Sequence, residues 1–343
     1  MTEFEIVEVI RNENRSKEEL KFVWEKLLKN PMVHIPKSVG VVNKILDKLK
    51  YISKSRLMTY NFCQTVFKYG YIYNLNVEQQ QFYMKWGSRL HWVMEVLYNF
   101  IDLDKIVRMD NILKYIRTLI LNKIVPKRFK FEGDIGKYVM NMIQNIAIFE
   151  QSKFRKIQNF GMNKENLERY FIPITTELGI ENYHTYKVGF IDAEYNIPDK
   201  FGGKDKLCVV DYKFGQPKYY IDEGYEQEGI KTETTFYKML REEPGAMQLD
   251  KETKTMKILP YKRVDFGMIV YFQDLATAKM HRFNELDIAS LNENIEQFWG
   301  SLNKCWFLQK WRAMQYCMNQ CPFHWDYCFK YEKKWSYLRN PET

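Results

Sequence analysis

The sequence predicts an α/β fold: a central mixed sheet flanked by helices, with a helical N-terminal region before it and a C-terminal cysteine cluster segment after it. Three observations predict this fold class. Apolar residues recur at helical spacing through much of the first half of the 343-residue chain. Short segments rich in β-branched and aromatic residues, separated by turn-forming residues, follow as in a sheet. Three of the six cysteines lie within twelve positions of one another near the C-terminus.

The composition is that of a globular protein with a moderately basic charge. Hydrophobic residues make up 45% and charged residues 28%, which excludes a low-complexity chain. The 52 Lys and Arg exceed the 43 Asp and Glu, and the net charge of +9 suits a polyanionic partner without proving one. No apolar run reaches the roughly 18 residues of a membrane-spanning helix. The opening MTEFEIVEVI lacks the order of a secretory signal, so we expect a cytoplasmic protein without membrane contact.

The N-terminal helical region is predicted to span residues 1–76 and to carry the first candidate cluster cysteine, Cys63. Serine side chains that precede apolar periodic segments cap the first turn of helices. Helices are accordingly expected at 17–29, at 42–49 and from a start near Ser53 or Ser55.

The predicted core, residues 77–285, begins with a long helix over 77–100. Apolar residues at steps of three and four form one face of this helix: Trp86, Leu90, Val93, Met94, Leu97 and Tyr98. Residues from about 104 to 160 continue as a helical insertion, which Pro126 interrupts. The sheet then follows, with strands at 171–178, 183–195 and 206–213 and, beyond a helix over 219–241, at 264–272 and 278–283. The remaining residues, 286–343, hold a helix over 287–315 and the cysteine cluster.

Two neighbouring strands each carry an acidic residue. The first strand contains Gly189-Phe190-Ile191-Asp192, and the second contains Val209-Val210-Asp211-Tyr212-Lys213. Because strand side chains alternate, Asp211 and Lys213 share one face and Tyr212 points to the other. Pairing of the two strands can bring Asp192 beside them.

Carboxylates gathered in this way form an oxygen-rich site that suits Mg²⁺ or Mn²⁺. A divalent ion there lowers the pKa of bound water, while Lys213 can hold the attacking water or stabilise the extra negative charge of a phosphodiester transition state. An isolated Asp-x-Lys pair is more often a surface ion pair than a catalytic one. The order of the surrounding elements therefore decides the interpretation.

That order resembles the RecB-like branch of the PD-(D/E)XK nuclease superfamily, which also includes the Cas4 and AddB nucleases. The resemblance covers about Ser53 to Cys328. Four motifs carry it: the serine-rich opening helix that leads to Tyr60 and Cys63, the G-x-x-x-H helix from Gly87 to His91, the two acidic strands, and Glu233 to Tyr237, where the family commonly has Q-x-x-x-Y.

The resemblance implies a role for each matching residue. His91, Asp192, Asp211 and the backbone carbonyl of Tyr212 would hold the divalent metal, and Lys213 would act beside it. Tyr237 matches the last motif, whereas Glu233 departs from it and could either hydrogen-bond as glutamine does or face solvent. Glu177, on the strand before Asp192, is as compatible with a further acid of the site as with a surface glutamate.

The late cysteines Cys317, Cys321 and Cys328 have three and six residues between successive members, close enough for one loop to wrap a single metal centre. By the same resemblance, Cys63 would be the fourth ligand of a structural 4Fe-4S cluster. Four thiolates would equally suit Zn²⁺, and a chance gathering of cysteines is the third possibility.

These features predict a metal-dependent DNA exonuclease that acts on DNA ends or on single-stranded DNA. Basic residues interleaved with aromatic ones can neutralise phosphates and stack on unpaired bases. Such a stretch holds Lys330, Tyr331, Lys333, Lys334, Trp335, Tyr337 and Arg339. Two alternatives stay open: an endonuclease on the same core, and a DNA-binding or scaffolding subunit without activity.

Overall fold

The computed structural model describes residues 50–72, 78–125, 134–199, 203–215, 223–249, 253, 255–273 and 275–304. The helices predicted at 17–29 and 42–49 lie outside these residues. The chain forms two compact units, one from Met1–Glu78 with Ser290–Thr343 and one from Gln79–Ala289.

The described part of the first unit is a helical cluster around aromatic side chains. A two-residue strand, β1 (Ile52–Ser53), leads into α1 (Lys54–Phe62), which Ser53 caps by accepting a hydrogen bond from the backbone N–H of Arg56. This confirms the predicted helix start. Helix α2 (Gln64–Phe67) and a π-helical turn (Lys68–Ile72) follow. Tyr60 and Phe67 each pack edge-on against Phe298, with ring centroids 5.3 Å apart.

The second unit begins with helices that form one layer. Their bounds are α3 (Glu78–Leu97), a 3₁₀ turn (Tyr98–Phe100), α4 (Leu103–Ile106), α5 (Leu113–Leu119), a π turn (Ile120–Ile124), α6 (Asp134–Gln158), α7 (Lys164–Asn166) and a π turn (Leu167–Phe171). The apolar face predicted for the helix over 77–100 is buried in this layer, as its spacing requires. The helices between residues 104 and 160 belong to the same hydrophobic core.

A mixed sheet forms the second layer. Its strands are β2 (Thr175–Asn182), β3 (Lys187–Ile197), β4 (Lys206–Lys213), β5 (Ala246–Leu249), β6 (Met256–Ile258), β7 (Phe266–Tyr271) and β8 (Thr277–Arg282). Their order across the sheet is β6-β5-β2-β3-β4-β7-β8, and only the β4–β7 pair among these neighbours is parallel. A parallel pair needs a crossover, and the chain between β4 and β7 contains α8 (Glu223–Glu242).

The sheet is covered on both faces. One face packs on the helical layer through alternate residues such as Tyr195, Val210 and Val270. The other face carries α8, which comes so close to β7 that a Cβ on Gly267 would lie 2.3 Å from Cβ of Thr234. A last helix, α9 (Glu285–Lys304), ends the described chain. The sandwich of a mixed sheet between helices agrees with the predicted fold class.

The structure differs from the predicted strands at the bounds of the first two and in two additional short strands. The strand predicted at 183–195 spans Lys187–Ile197. The first long strand was expected from residue 171, but it begins at Thr175 because Leu167–Phe171 is a π-helical turn. Strands β5 and β6 were not predicted, because strands of four and three residues are too short to show a periodic pattern in the sequence. No helix among the described residues has the length and apolar character that crossing a membrane requires.

Candidate active site

The site is built where β3 and β4 run side by side. Ala193 pairs with Val210 at the end of the antiparallel register, and Asp192 and Asp211 are the residues next to this pair on the two strands. Both carboxylates are buried. The backbone N–H of Tyr212 donates a 2.6 Å hydrogen bond to Oδ2 of Asp192, which fixes that carboxylate at the seam between the strands.

Helix α8 completes the surroundings of Asp211. The Tyr237 hydroxyl donates a 3.0 Å hydrogen bond to Oδ1 of Asp211, and Nζ of Lys213 lies 2.6 Å from Oδ2. Lys213 also pairs with Glu233, one helical turn before Tyr237, at 2.8 Å. Burial raises the pKa of Tyr237 well above its usual value, and the charge of Asp211 adds to this effect. Tyr237 is therefore a neutral hydrogen-bond donor across the physiological pH range.

His91, on α3, lies close to Asp192 and to a third carboxylate, that of Glu177. Its Nδ1 lies 3.5 Å from Oδ1 of Asp192 and 3.6 Å from Oε1 of Glu177. The imidazole packs edge-on against Phe214, with the ring centroids 5.0 Å apart. Burial acts to lower the pKa of His91, but the charges of Asp192, Glu177 and Asp211 outweigh it and raise the pKa overall.

Glu177 reaches this group through an unusual backbone conformation in β2. Its φ of +48° lies in the left-handed region, which an L-residue with a side chain adopts at a cost. Side chains of β3 also change face in the segment that pairs with this part of β2. Gly189 faces α8, where an added Cβ would lie 2.9 Å from Leu240, and Glu194 binds Arg241 of the same helix. Strict alternation would put these two residues on opposite faces of the sheet, because they are five positions apart.

The structure thus brings six residues named from the sequence into one cluster: His91, Asp192, Asp211, Lys213, Glu233 and Tyr237. Comparison with protein-family models gives a match to the model described as "PD-(D/E)XK nuclease superfamily", over residues 51–328. The chain belongs to the PD-(D/E)XK nuclease superfamily. A search of curated proteins returned no significant match. Membership of this superfamily implies a nuclease, and the narrower RecB-like assignment stays a prediction.

The donor atoms of the site suit the divalent metals that PD-(D/E)XK nucleases use. One donor atom each from His91, Glu177 and Asp192 lies within 4.8 Å of the other two. An imidazole nitrogen with carboxylate oxygens is a donor set for Mg²⁺ and Mn²⁺ and lacks the thiolates that softer metals prefer. Asp211 lies next to this group, and its oxygens contact Tyr237 and Lys213.

A buried polar network behind the site was not foreseen from the sequence. Tyr212 extends to the opposite face of the sheet, where its hydroxyl lies 2.9 Å from that of Tyr195. Nζ of Lys153 donates to Tyr195 and Tyr98, and it pairs with Glu150 at 2.9 Å. Burial raises the pKa of Tyr212 and Tyr195, so both phenols stay protonated. From the sequence, the three-residue spacing of Glu150 and Lys153 on α6 predicts only an ion pair on one helix face. The tyrosines that complete the network lie in distant segments of the chain.

The predicted cluster cysteines are only partly within the described chain. Cys63 is a partly buried thiol in extended backbone between α1 and α2. Cys317, Cys321 and Cys328 lie outside the described residues. Their joint metal site is therefore a matter for proposal.

Proposed function

We propose that this protein is a metal-dependent deoxyribonuclease, and specifically an exonuclease that hydrolyses phosphodiester bonds at DNA ends or in single-stranded DNA. The observation that carries the proposal is the convergence of two buried carboxylates and a lysine where β3 and β4 run side by side. Asp211 lies 2.6 Å from Lys213, and Asp192 accepts the backbone N–H of Tyr212, the residue after Asp211. Membership of the PD-(D/E)XK nuclease superfamily supports the same chemistry.

Two acidic residues hold the Lys213 side chain beside the proposed metal site. Its ammonium lies between Asp211 and Glu233, so it is charged and oriented towards the acidic face of β4. There it donates a hydrogen bond to the attacking water or to a phosphate oxygen as negative charge develops. Tyr237 supports this arrangement, because its hydrogen bond fixes the Asp211 carboxylate that faces Lys213.

His91, Asp192 and Asp211, with the backbone carbonyl of Tyr212, are the proposed ligands of a catalytic Mg²⁺ or Mn²⁺. Such an ion supplies a water of lowered pKa and neutralises phosphate charge. Asp192 is suited to this role since the backbone N–H of Tyr212 holds one of its oxygens and leaves the other on the side of His91.

Replacement of Lys213 by alanine tests the proposed chemistry. We expect Lys213→Ala to lower the rate of DNA cleavage in Mg²⁺ or Mn²⁺ by roughly a hundredfold to a thousandfold, because a charge-stabilising donor is lost. Lys206→Ala is the matched control, since Lys206 begins the same strand and pairs with Asp199 away from the site. Wild-type cleavage by Lys213→Ala would refute the assigned role, and absence of cleavage by the wild-type protein would favour the inactive-subunit alternative.

The exonuclease assignment has its own test. Linear DNA and covalently closed circular single-stranded DNA of the same sequence are incubated with protein and Mn²⁺. An exonuclease degrades the linear form and leaves the circle intact. Cleavage of both forms at similar rates would replace the exonuclease with an endonuclease.

We also propose that Cys63, Cys317, Cys321 and Cys328 hold a 4Fe-4S cluster with a structural role. Cys317, Cys321 and Cys328 are spaced closely enough for one loop to wrap around a metal centre. Cys63 is the residue between α1 and α2, and its thiol is partly buried. Iron and sulfide are measured in wild-type protein and in Cys321→Ser, both purified without oxygen. We expect both elements in wild type and a loss of both in the variant. Bound zinc in place of iron would correct the cluster type, and protein without either metal would refute the site.

A further inference from the structure

The carboxylate of Glu177, for which the sequence leaves a place in the site and a place on the surface equally open, joins the site from β2. Its Oε1 lies 3.6 Å from Nδ1 of His91, and its side chain is about one-fifth exposed. The described residues contain one group of three or more metal-ligating side chains with mutually close donor atoms, and Glu177 belongs to it together with His91 and Asp192.

The other two acidic side chains of the site, Asp192 and Asp211, each have contacts of their own. Oδ2 of Asp192 accepts the backbone N–H of Tyr212, so Oδ1 is the oxygen that faces His91. The two oxygens of Asp211 contact Tyr237 and Lys213. A cation beside His91 would therefore find its nearest carboxylate oxygens on Asp192 and Glu177.

The backbone conformation of Glu177 is a second observation that points to a role for its side chain. A glutamate with φ of +48° is strained, because only Gly, and less often Asn or Asp, adopts this region readily. Such strain persists where the surrounding structure holds it, and it is concentrated at sites of function. In regular alternation Glu177 and Leu178 would point to opposite faces of β2, and the left-handed residue interrupts that alternation at the acid itself.

From this geometry we infer that Glu177 is a direct ligand of the catalytic divalent ion, in one coordination set with His91 and Asp192. The inference rests on the proposed function for the presence of the ion. It adds a carboxylate to the ligands expected from the sequence, and it assigns the strain in β2 to the positioning of that carboxylate.

Direct binding of Mn²⁺ to the full-length protein tests this inference. Glu177→Gln keeps the shape of the side chain and removes its charge, and Glu177→Gly removes the carboxylate while relieving the left-handed backbone. Glu181→Gln is the control, because Glu181 lies on the same strand four residues beyond Glu177 and outside the site. Affinity is measured by electron paramagnetic resonance of free Mn²⁺, and stability by thermal unfolding with and without the ion.

We expect both Glu177 variants to bind Mn²⁺ at least about tenfold more weakly than wild type, and Glu181→Gln to bind as wild type does. The ion should raise the unfolding temperature of wild type more than that of either Glu177 variant. In the absence of metal, Glu177→Gly should unfold at a temperature no lower than wild type, which separates loss of a ligand from loss of the fold.

Wild-type Mn²⁺ affinity in Glu177→Gln and Glu177→Gly would overturn the inference, as would a wild-type protein that binds no Mn²⁺. Failure of the proposed function has a different signature. A wild-type protein that binds Mn²⁺ through Glu177 but cleaves no DNA would retain the ligand assignment and refute the nuclease activity.

Discussion

At the scale of single residues, the site places each acid in a different environment. Asp192 is held by a backbone N–H, Asp211 by a phenol and an ammonium, and Glu177 by a strained backbone next to His91. This division matters chemically, because three adjacent carboxylates repel one another unless cations or donors compensate. His91 supplies such compensation in the metal-free protein through the imidazolium form.

The stability of the metal-free protein should therefore depend on His91 and on pH. The folded-state pKa of His91 is raised by the neighbouring acids above the unfolded value of about 6.5. The stabilisation is complete below the unfolded pKa and is lost as the pH rises through the folded pKa. With a chelator present, His91→Gln should lower the free energy of unfolding more at pH 6 than at pH 9.

Denaturant unfolding at the two pH values measures this difference. His184→Gln serves as the control for loss of a histidine, because His184 is exposed in the turn between β2 and β3, away from the acidic cluster. An equal effect of His91→Gln at both pH values would show that the imidazolium does not stabilise the folded acids.

At the scale of elements, the position of α8 on the sheet decides where Glu233 and Tyr237 lie. The helix packs closely on β7 at Gly267, where Thr234 fills the space that a side chain would need. Thr234 and Thr235 are buried between Glu233 and Tyr237 on the helix. The close approach of this helix to the sheet is therefore part of the construction of the site.

Gly267→Ala should disturb both the fold and the site. The added Cβ would meet Thr234 at 2.3 Å, and moving α8 away should destabilise the protein by about 1–3 kcal/mol. Nuclease activity should fall with it, because Tyr237 moves away from Asp211. Gly300→Ala is the control, since an added Cβ there has no heavy atom within 4 Å. Thermal unfolding and cleavage rates are the measurements, and unchanged values for Gly267→Ala would contradict the tight contact.

The elements also show what the sequence could predict. Strand β4 was predicted to the residue, because its apolar run is bounded by turn-forming segments, and alternation alone placed Asp211 with Lys213. The sequence does not decide the role of Glu177, since a positive φ at a glutamate leaves no periodic pattern in the sequence. The partners of Lys153 were missed for a different reason: its contacts join α6 to Tyr98 and Tyr195, and such long-range contacts depend on the assembled fold.

At the scale of the whole molecule, β4 lies inside the sheet and both of its faces are covered. Cys208, near the start of this strand, is fully buried, and burial raises the pKa of its thiol to about 12. A thiol with this pKa is almost entirely protonated at neutral pH, and the thiolate is the reactive form.

Cys208 should therefore report on opening of the whole second unit. In the native protein at pH 8, iodoacetamide should leave Cys208 unmodified for hours, and in denaturant it should modify Cys208 as fast as a model thiol. Peptide mass spectrometry resolves this cysteine from the other five. Rapid native modification would mean that the central strand opens independently of the fold.

The parallel pairing of β4 with β7 has a consequence for synthesis of the protein on the ribosome. Asp211 pairs across the sheet with Ile269, 58 positions later, so the strand that carries the acid and the lysine gains its second neighbour only after most of the chain has emerged. Nascent chains that end before β7 lack this support and the neighbour on which α8 packs. The order of translation thereby delays assembly of the acidic site until β7 has emerged from the ribosome.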